Sequence, residues 1–370
     1  MNDLGYMARA LELARQGLYS THPNPRVGCV IVRDGRIIGE GWHVRAGEPH
    51  AEVHALRQAG ELARGATAYV TLEPCSHFGR TPPCAEALVK AGVARVVAAM
   101  QDPNPQVAGR GLERLRSAGI EVSSGVLEAE ARELNVGFIK RMESGLPYVR
   151  VKLAMSLDGR TAMASGESQW ITGPAARAAV QRLRARSSVV ITGADTVLMD
   201  SARLTVRGDE LGVSPEQAAL ALGRPPLRVL VDGRGRVPLS APFFQAGPAL
   251  VVTALDTPVD YAAAGHECLA LPGDGERVDL AALLRTLAER GANEVLVEAG
   301  PRLAGAFAQR GLVDEYQIFM AGKFLGSSAR PLLDWPLQRM AEAPELRIRE
   351  IRAVGDDWRI IAMPVARIAH

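Results

Sequence analysis

The most informative part of the sequence is HAEVHALRQA, residues 50–59, followed by EPCSHFGRTPPC, residues 73–84. Helical periodicity runs from residue 50 to about 62, a strand covers ATAYVTL, and a loop rich in Pro, Gly and Ser follows it. These elements bring one imidazole, one carboxylate and two thiols close together, on His50, Glu52, Cys75 and Cys84. The cluster is a metal site, a disulfide or a coincidence, and the rest of the chain has to separate these three.

Strand-like and helix-like segments alternate along the whole chain. The first series opens with a hairpin, in which VGCVIV and RIIGEGW flank the turn RDG. The second series begins with the strand YVRVKLAM, after a short hinge at Gly145 and Pro147. With 370 residues, 47% of them apolar, the chain is long enough for two cores. We predict an α/β fold with a boundary near residue 146, which gives the domains 1–145 and 146–370.

The composition excludes several classes of partner. The formal net charge is +2, which gives no electrostatic footprint for a nucleic acid or a membrane surface. No stretch approaches the roughly 18 apolar residues of a membrane span, and the first helix is amphipathic, unlike a signal peptide. We expect a cytoplasmic protein with no nucleic-acid partner and no membrane partner. In that reducing compartment the four cysteines are ligands, catalysts or core residues and not disulfides.

One histidine and two cysteines have the chemistry of a catalytic zinc site. Zinc takes three protein ligands in such a site, keeps one position for water and lowers the pKa of that water. An unligated carboxylate nearby can shuttle protons, which is the role of the glutamate in zinc nucleobase deaminases. Each residue alone has a plainer interpretation, because loop cysteines are often inert core thiols and a single histidine is usually structural. His54 and His77 are competing ligands, although packing suits His54 and substrate contact suits His77.

The first half of the chain resembles the cytidine-deaminase-like superfamily through HAE and EPCSHFGRTPPC, with eight residues between the cysteines where two are usual. With THPNPRVGCVIV at 21–32, it is similar to the deaminase domain of the bifunctional riboflavin-biosynthesis deaminase/reductase family. The resemblance implies a three-layer α/β/α domain. It implies one zinc ion held by His50, Cys75 and Cys84, with Glu52 as the proton donor. It also implies substrate contacts from Asn24, His43, His77 and Arg80.

The second half gives weaker signals of its own. No G-x-G-x-x-G follows a strand, so the usual dinucleotide fingerprint is absent. Two strand-to-helix turns, ITGADTVLMD at 191–200 and VLVEAGPRLAGAF at 295–307, are candidate phosphate sites. Such turns occur in every α/β protein, however, and single arginines are usually solvated surface residues. Gly233-Arg234-Gly235 is most simply a turn.

The second half also resembles the reductase domain of the same family, through VKLAMSLDGRTA, GESQWITG, ITGADTVLMDSARLTVR and VEAGP in that order. That domain is similar to dihydrofolate reductase in fold, and the resemblance then covers nearly all of the chain. It implies NADPH contacts from Ala154, Trp170, Thr196, Asp200, Gly300, Pro301, Arg302, Leu303, Ala304, Gly305 and Ala306. It implies substrate contacts from Ser168, Arg184, Leu204, Arg207 and Glu298, with Lys152 and Asp158 lining the same site.

Two further expectations concern single residues of the chain. Pro301 removes one N–H from the phosphate turn, a loss that is tolerated at the first position of a helix. Arg234 and Arg236 follow a strand and are candidates for gripping the 2′-phosphate of NADPH, a task that suits arginine. Cys29 and Cys268 have no role in this scheme and are expected in the core.

The leading hypothesis is a two-step enzyme of riboflavin biosynthesis. The first domain would remove the 2-amino group of 2,5-diamino-6-ribosylamino-4(3H)-pyrimidinone 5′-phosphate by hydrolysis. The second would reduce the ribosyl group to ribityl with NADPH, and related enzymes suggest a dimer or tetramer. One alternative is an RNA or nucleobase deaminase with a C-terminal binding module, which the near-neutral charge disfavours. Another is a scaffold with a structural zinc, which the unligated Glu52 disfavours.

Overall fold

The computed structural model of the chain describes residues 2–76, 83–255 and 261–365. The chain divides into two compact units, Met1–Leu146 and Pro147–His370. Each unit is an α/β structure built on one main sheet. In the described part of the chain, no helix is both long enough and apolar enough to cross a membrane.

The first unit contains a five-stranded sheet and six α-helices among its described residues. In chain order these elements are α1 (Asp3–Arg15), β1 (Gly28–Arg33), β2 (Arg36–Trp42), α2 (Ala51–Ala59), β3 (Thr67–Val70), α3 (Cys84–Ala91), β4 (Arg95–Ala98), α4 (Arg110–Ser117), β5 (Glu121–Ser124), α5 (Glu128–Leu134) and α6 (Val136–Ser144). The strand order is β2-β1-β3-β4-β5. β1 is antiparallel to β2 and β3, whereas β3, β4 and β5 are parallel.

Helices cover both faces of this sheet. Val30 and Val32 of β1 pack with α1, α5 and α6 on one face. Cys29 and Ile31 pack with α2, α3 and α4 on the other, because successive side chains of a strand point to opposite faces. The unit therefore has the three layers that were predicted. The predicted hairpin is β1–β2, and its turn residues Asp34 and Gly35 have φ values of 49° and 73°, as tight hairpin turns require.

Helix α2 packs directly on the backbone of β2. A Cβ atom at Gly41 would lie 2.4 Å from the carbonyl oxygen of Ala51 and 2.7 Å from the amide nitrogen of Ala55, so only glycine leaves room there. The helix predicted from residue 50 to about 62 is α2 followed by one 3₁₀ turn, Gly60–Ala63. His50 immediately precedes α2 as its N-cap residue.

The second unit contains eleven strands and five α-helices among its described residues. They are β6 (Tyr148–Ser156), β7 (Arg160–Ala162), α7 (Pro174–Arg186), β8 (Val189–Gly193), α8 (Ala194–Asp200), α9 (Pro215–Leu222), β9 (Leu227–Val231), β10 (Leu250–Thr253), β11 (Glu267–Ala270), α10 (Leu280–Glu289), β12 (Glu294–Glu298), α11 (Pro301–Gln309), β13 (Glu315–Ala321), β14 (Arg330–Pro331), β15 (Leu346–Val354) and β16 (Asp357–Pro364).

Nine of these strands form one sheet, in the order β11-β10-β9-β8-β12-β6-β13-β16-β15, and β7 pairs with β14. Neighbours from β11 to β13 are parallel. The hairpin β15–β16 completes the sheet in the antiparallel sense. Because the carboxyl ends of parallel strands meet at one edge, the loops that follow β8, β9 and β12 are neighbours.

Three buried ionic residues join the central strands near their amino ends. Arg150 of β6 donates a hydrogen bond to Glu315, the first residue of β13, at 2.9 Å, and another to Glu294, the first residue of β12. All three side chains are buried. Each carboxylate therefore has a guanidinium partner, which offsets the cost of removing the charges from water.

Candidate functional sites

Three potential metal ligands converge in the first unit. His50 is the N-cap residue of α2, Cys84 is the first residue of α3, and Cys75 follows β3. Their ligand atoms all lie within 4.8 Å of one another. Nδ1 of His50 lies 3.3 Å from Sγ of Cys84 and 3.6 Å from Sγ of Cys75. The backbone N–H of Cys84 donates to Sγ of Cys75 at 3.3 Å.

These separations fit a tetrahedral zinc ion. Zn–N and Zn–S bonds of about 2.1 and 2.3 Å place a nitrogen and a sulfur ligand about 3.5 Å apart. Hydrogen bonds from the Cys84 side chain and from His50 lower the pKa of the Cys75 thiol to about 4, and zinc binds the thiolate form. The described residues supply three ligands and leave the fourth position for water, which is typical of a catalytic and not a structural zinc site.

Glu52 lies beside this ligand set and is buried, with 3% of its surface exposed. Burial raises the pKa of its carboxyl to about 7, although the neighbouring His50 opposes the increase. No described residue forms a hydrogen bond with Oε2 of Glu52. A buried oxygen of this kind is stable only when water or a ligand becomes its partner. The carboxyl group is therefore suited to exchange protons with a bound molecule.

His43 and Asn24 also lie at this site. The rings of His43 and His50 are 5.1 Å apart between centroids, with an angle of 84° between their planes. Nδ1 of His43 lies 3.2 Å from the carbonyl oxygen of Pro49 and must carry the proton. Nε2 then accepts a hydrogen bond from the side-chain amide of Asn24 at 3.1 Å. The amide oxygen of Asn24 is left to accept a hydrogen bond from a ligand.

The other histidine and cysteine predictions have different outcomes. His77 and Arg80 lie outside the described residues. His54 lies on α2, half-buried, and is not a member of the three-residue ligand group. Cys29 is buried in β1, and Cys268 is half-buried in β11.

In the second unit a cleft of about 1940 Å³ opens where β8, β9 and β12 end. Arg184 of α7 contacts both carboxylate oxygens of Glu298, at 2.6 and 2.9 Å. Lys152 of β6 is the register partner of Glu298 in the parallel pair. Burial lowers the pKa of Lys152, and the charge of Glu298 opposes that shift. Two cations and one carboxylate thus form the charged wall of the cleft.

Two strand-to-helix turns meet in the same cleft. The N–H of Gly300 donates to Oγ1 of Thr196 in α8 at 3.1 Å, and α11 begins at Pro301, where the missing N–H breaks no helical bond. Gly300, Pro301, Arg302, Leu303 and Ala306 line the cleft.

Ala304 and Gly305 do not line the cleft and are buried on the other side of α11. A Cβ atom at Gly305 would lie 2.4 Å from the carbonyl oxygen of Asp334. This glycine therefore permits close packing and does not face a ligand. The helical repeat explains the difference, because residues 302, 303 and 306 share one side of α11.

The remaining predicted reductase residues divide in the same way. Those that line the cleft are Ala154, Ser168, Trp170, Asp200, Leu204 and Arg207. The hydroxyl of Ser168 donates to Asp200 at 2.8 Å, and the guanidinium of Arg177 lies 4.7 Å from the centre of the Trp170 ring. Asp158 lies outside the cleft lining. Its carboxylate accepts hydrogen bonds from the backbone N–H groups of Leu325 and Gly326.

Arginines from two neighbouring turns surround one carboxylate in the cleft. Asp195 of α8 accepts hydrogen bonds from Arg236 at 2.8 Å and from Arg302 at 3.4 Å. Arg234 pairs with Glu276 at 2.7 Å. All three arginines line the cleft. The site therefore offers several guanidinium groups at the edge where the strands end.

The sequence analysis missed two buried carboxyl groups near Cys75. Glu73 has 3% of its surface exposed and Asp102 has 7%. Burial raises the pKa of Asp102 to about 6, and the charges of Glu73 and Cys75 add to this effect. Glu73 stands within EPC and Asp102 within QDPNP, so both are visible as turn residues in the sequence. Only the fold shows that they are buried.

Comparisons with known families place both units in one class of protein. Residues 1–100 match the family described as the cytidine and deoxycytidylate deaminase zinc-binding region. Residues 147–360 match the family described as the RibD C-terminal domain. The class is thus a zinc-binding deaminase unit joined to a RibD-type C-terminal unit.

Full-length relatives have the same combination. The chain is 55% identical to the riboflavin biosynthesis protein RibD of Escherichia coli K12, over 96% of this chain and 98% of that protein. It is similar to the structure of Acinetobacter baumannii RibD, with a TM-score of 0.91 and 50% identity, over 98% of this chain and 99% of that chain. It is also similar to the structure of a Thermotoga maritima diaminohydroxyphosphoribosylaminopyrimidine deaminase/5-amino-6-(5-phosphoribosylamino)uracil reductase. The TM-score is 0.86 and the identity is 34%, over 98% of this chain and 99% of that chain. The chain belongs to the RibD family, which confirms the predicted family and the predicted fold class.

The four cysteines allow a direct test of the ligand set. We expect the Cys75→Ala variant to lose its zinc, because two protein ligands do not hold the ion. The Cys268→Ala variant, altered in the second unit, is the matched control and is expected to retain about one zinc per chain. Metal content is measured by atomic absorption after dialysis. Equal zinc in the two variants would contradict the assignment.

Proposed function

We propose that the chain catalyses two successive steps of riboflavin biosynthesis. The first is the hydrolytic deamination of 2,5-diamino-6-ribosylamino-4(3H)-pyrimidinone 5′-phosphate, and the second is the NADPH-dependent reduction of the ribosyl group to ribityl. The product is 5-amino-6-ribitylamino-uracil 5′-phosphate. The observation that carries the proposal is the convergence of three metal ligands beside a buried carboxyl group, in a chain whose full-length relatives include a deaminase/reductase.

We assign the deamination to residues 1–145 and the reduction to 146–370. The support is that the deaminase-type match lies within residues 1–100 and the RibD C-terminal match within 147–360. The potential metal ligands all belong to the first unit, and the arginine-rich cleft belongs to the second. Each step therefore has its own site in its own unit.

In the deaminase site, His50, Cys75 and Cys84 would hold zinc. When bound, zinc lowers the pKa of a water molecule so that a nucleophile exists near neutral pH. Glu52 would accept a proton from the attacking water and deliver a proton to the 2-amino group, which leaves as ammonia while the oxygen of the water remains on C2. Asn24 accepts a hydrogen bond from the pyrimidinone ring, and His43 holds Asn24 in place. His77 and Arg80 are proposed as further substrate contacts.

In the reductase site, reduction of the ribosyl group takes up one hydride and one proton. NADPH supplies the hydride when bound. Lys152 is the one lysine among the described residues that line the cleft, and its lowered pKa suits it to give up the proton. The charge of Glu298, which Arg184 holds through two hydrogen bonds, favours the ammonium form of Lys152. We propose substrate contacts from Ser168, Arg184, Leu204, Arg207 and Glu298.

We propose that NADPH lies across the turns after β8 and β12. Its contacts are Ala154, Trp170, Thr196, Asp200 and the cleft-facing residues of 300–306. Arg236 and Arg302 would hold the 2′-phosphate, because both guanidinium groups lie beside Asp195 and each has further N–H donors to offer. Arg234, which lines the same cleft, contributes a further positive charge.

We also propose that the protein is a cytoplasmic homo-oligomer. Its four cysteines are free thiols, which suits a reducing compartment. The edge strand β15 leaves Ile348 56% and Ile351 55% exposed, and Trp358 of β16 is 46% exposed. Exposed apolar side chains on an edge strand are an aggregation hazard unless they are covered. A second copy can cover it, because two identical edges related by a twofold axis complement each other.

The proton shuttle is tested with the Glu52→Gln variant. We expect ammonia release from the diaminopyrimidinone phosphate to fall by at least about 100-fold, since an amide cannot transfer the proton. Zinc content is expected to stay the same. NADPH oxidation with the deaminated intermediate supplied directly is expected to be unchanged, and Glu61→Gln, an exposed position, is the control. Wild-type rates of ammonia release from the Glu52→Gln variant would refute the shuttle.

Cofactor preference is tested with the Arg236→Gln variant. A lost charge-assisted hydrogen bond to phosphate costs about 1.5–3 kcal/mol, so the KM for NADPH should rise by about 10- to 150-fold. The KM for NADH should not change, because NADH has no 2′-phosphate. Arg290→Gln, which removes an exposed pair with Glu267 in the same unit, controls for charge. An unchanged preference for NADPH over NADH would show that Arg236 does not bind the phosphate.

The oligomer is tested with the Ile351→Glu variant. A charge at the centre of the proposed interface should shift the protein to monomers, as measured by size-exclusion chromatography with light scattering. Leu62→Glu alters a side chain of the first unit that is also 55% exposed, and it should assemble like the wild type. If the Ile351→Glu variant assembles like the wild type, or if the wild type is monomeric, the β15 interface is wrong.

A further inference from the structure

Glu73 is a buried carboxylate whose hydrogen-bond donors, among the described residues, are backbone N–H groups. It follows β3, two residues before Cys75, and 3% of its surface is exposed. Its oxygens accept hydrogen bonds from four backbone N–H groups, those of Asp102 at 3.1 Å, Gly109 at 2.9 Å, Gly111 at 2.8 Å and Leu112 at 3.3 Å. No Lys, Arg or His of the described residues forms an ion pair with it within 4.0 Å.

The number of these donors matches what a carboxylate can accept. Two ionised oxygens offer about four lone-pair positions, and all four are in use. The donors belong to the segment after β4 and to the first turn of α4. The side chain therefore ties the residues before Cys75 to a second element of the unit.

Close packing at the next residue strengthens this connection. A Cβ atom at Gly111 would lie 1.9 Å from the carbonyl oxygen of Pro74, so α4 rests on the backbone between Glu73 and Cys75. The backbone N–H of Glu73 also donates a hydrogen bond to the carbonyl oxygen of Met100 at 3.0 Å. On its other side, the carbonyl oxygen of Cys75 accepts from the N–H of Ala85 in α3 at 3.2 Å.

We infer that Glu73 is a positioning residue for the metal centre. It does not belong to the ligand group, and it acts by fixing the backbone that carries Cys75. The thiol is then held at ligand distance from His50 and Cys84 before a metal arrives. Asp102 is held by the same carboxylate through its backbone N–H, so one side chain sets the place of two groups at this site. The inference rests on the proposed zinc site.

The Glu73→Gln variant tests this role. An amide presents one oxygen and one NH₂ group, so two of the four N–H donors would lose their acceptor and face another donor. We expect zinc affinity, measured by competition with a chromophoric chelator, to weaken by about 10- to 100-fold, the range that supporting residues of metal sites show. The visible bands of the Co²⁺-substituted variant should shift, because its thiolate geometry relaxes.

The matched control is Tyr69→Phe. It removes a hydrogen bond of 2.7 Å between β3 and Asp3 in the same unit, away from the ligand group, and should leave zinc affinity and the Co²⁺ bands unchanged. Wild-type zinc affinity in the Glu73→Gln variant would overturn the inference. Wild-type zinc content tests the proposed metal site separately, because a wild-type protein without zinc would refute that site whatever the variant does.

A measurement on the wild type keeps the inference testable if the variant does not fold. Coupling between two sites is reciprocal, so zinc should protect the amides of Gly109, Gly111 and Leu112 from hydrogen exchange. We expect chelation of zinc to raise their exchange rates several-fold relative to the amides of α6. If this ratio stays the same on chelation, Glu73 does not couple α4 to the metal centre.

Discussion

The approach of helix α2 to the backbone of β2 is the contact on which the first site depends. Gly41 lets the two backbones meet without an intervening side chain, and His50 at the start of α2 then lies within 3.6 Å of both thiols. Cys84 starts α3, which packs on the same face of the sheet as α2. Two helix N-termini thus point at one place, and their partial positive charge favours the thiolate form of the cysteines.

The fold and the metal set could be predicted because their signals are local. Alternating apolar strands and helices define the α/β class, and His50, Cys75 and Cys84 stand in elements that are recognisable from periodicity and turn residues. The reductase site was harder to derive, because its residues come from six separate segments. Ala304 and Gly305 belong to the right turn but lie on the packed side of α11. Asp158 belongs to a matching motif, but its carboxylate accepts hydrogen bonds from the backbone N–H groups of residues 325 and 326.

Tertiary contacts explain what the sequence could not reveal. Glu73 is one more acidic residue in a turn until α4 is folded against it, and the donors that satisfy it lie about 30 to 40 positions away. Asp195 is part of a predicted phosphate turn, but its pairing with Arg236 and Arg302 requires three strand ends to meet. In both cases the order of the strands in the sheet determines which residues become partners. The spacing of these residues along the chain does not reveal that order.

The central strand β12 carries a buried acid at each end, and the three residues between them are apolar and fully buried. Glu294 belongs to the structural cluster around Arg150, whereas Glu298 faces the cleft, about 13 Å away along the strand. This distance keeps the charges of the cleft out of contact with those that hold the sheet together. Substitutions that adapt the cleft to another ligand can therefore accumulate without disturbing the ionic framework, which makes this end of the unit open to evolutionary change and to redesign.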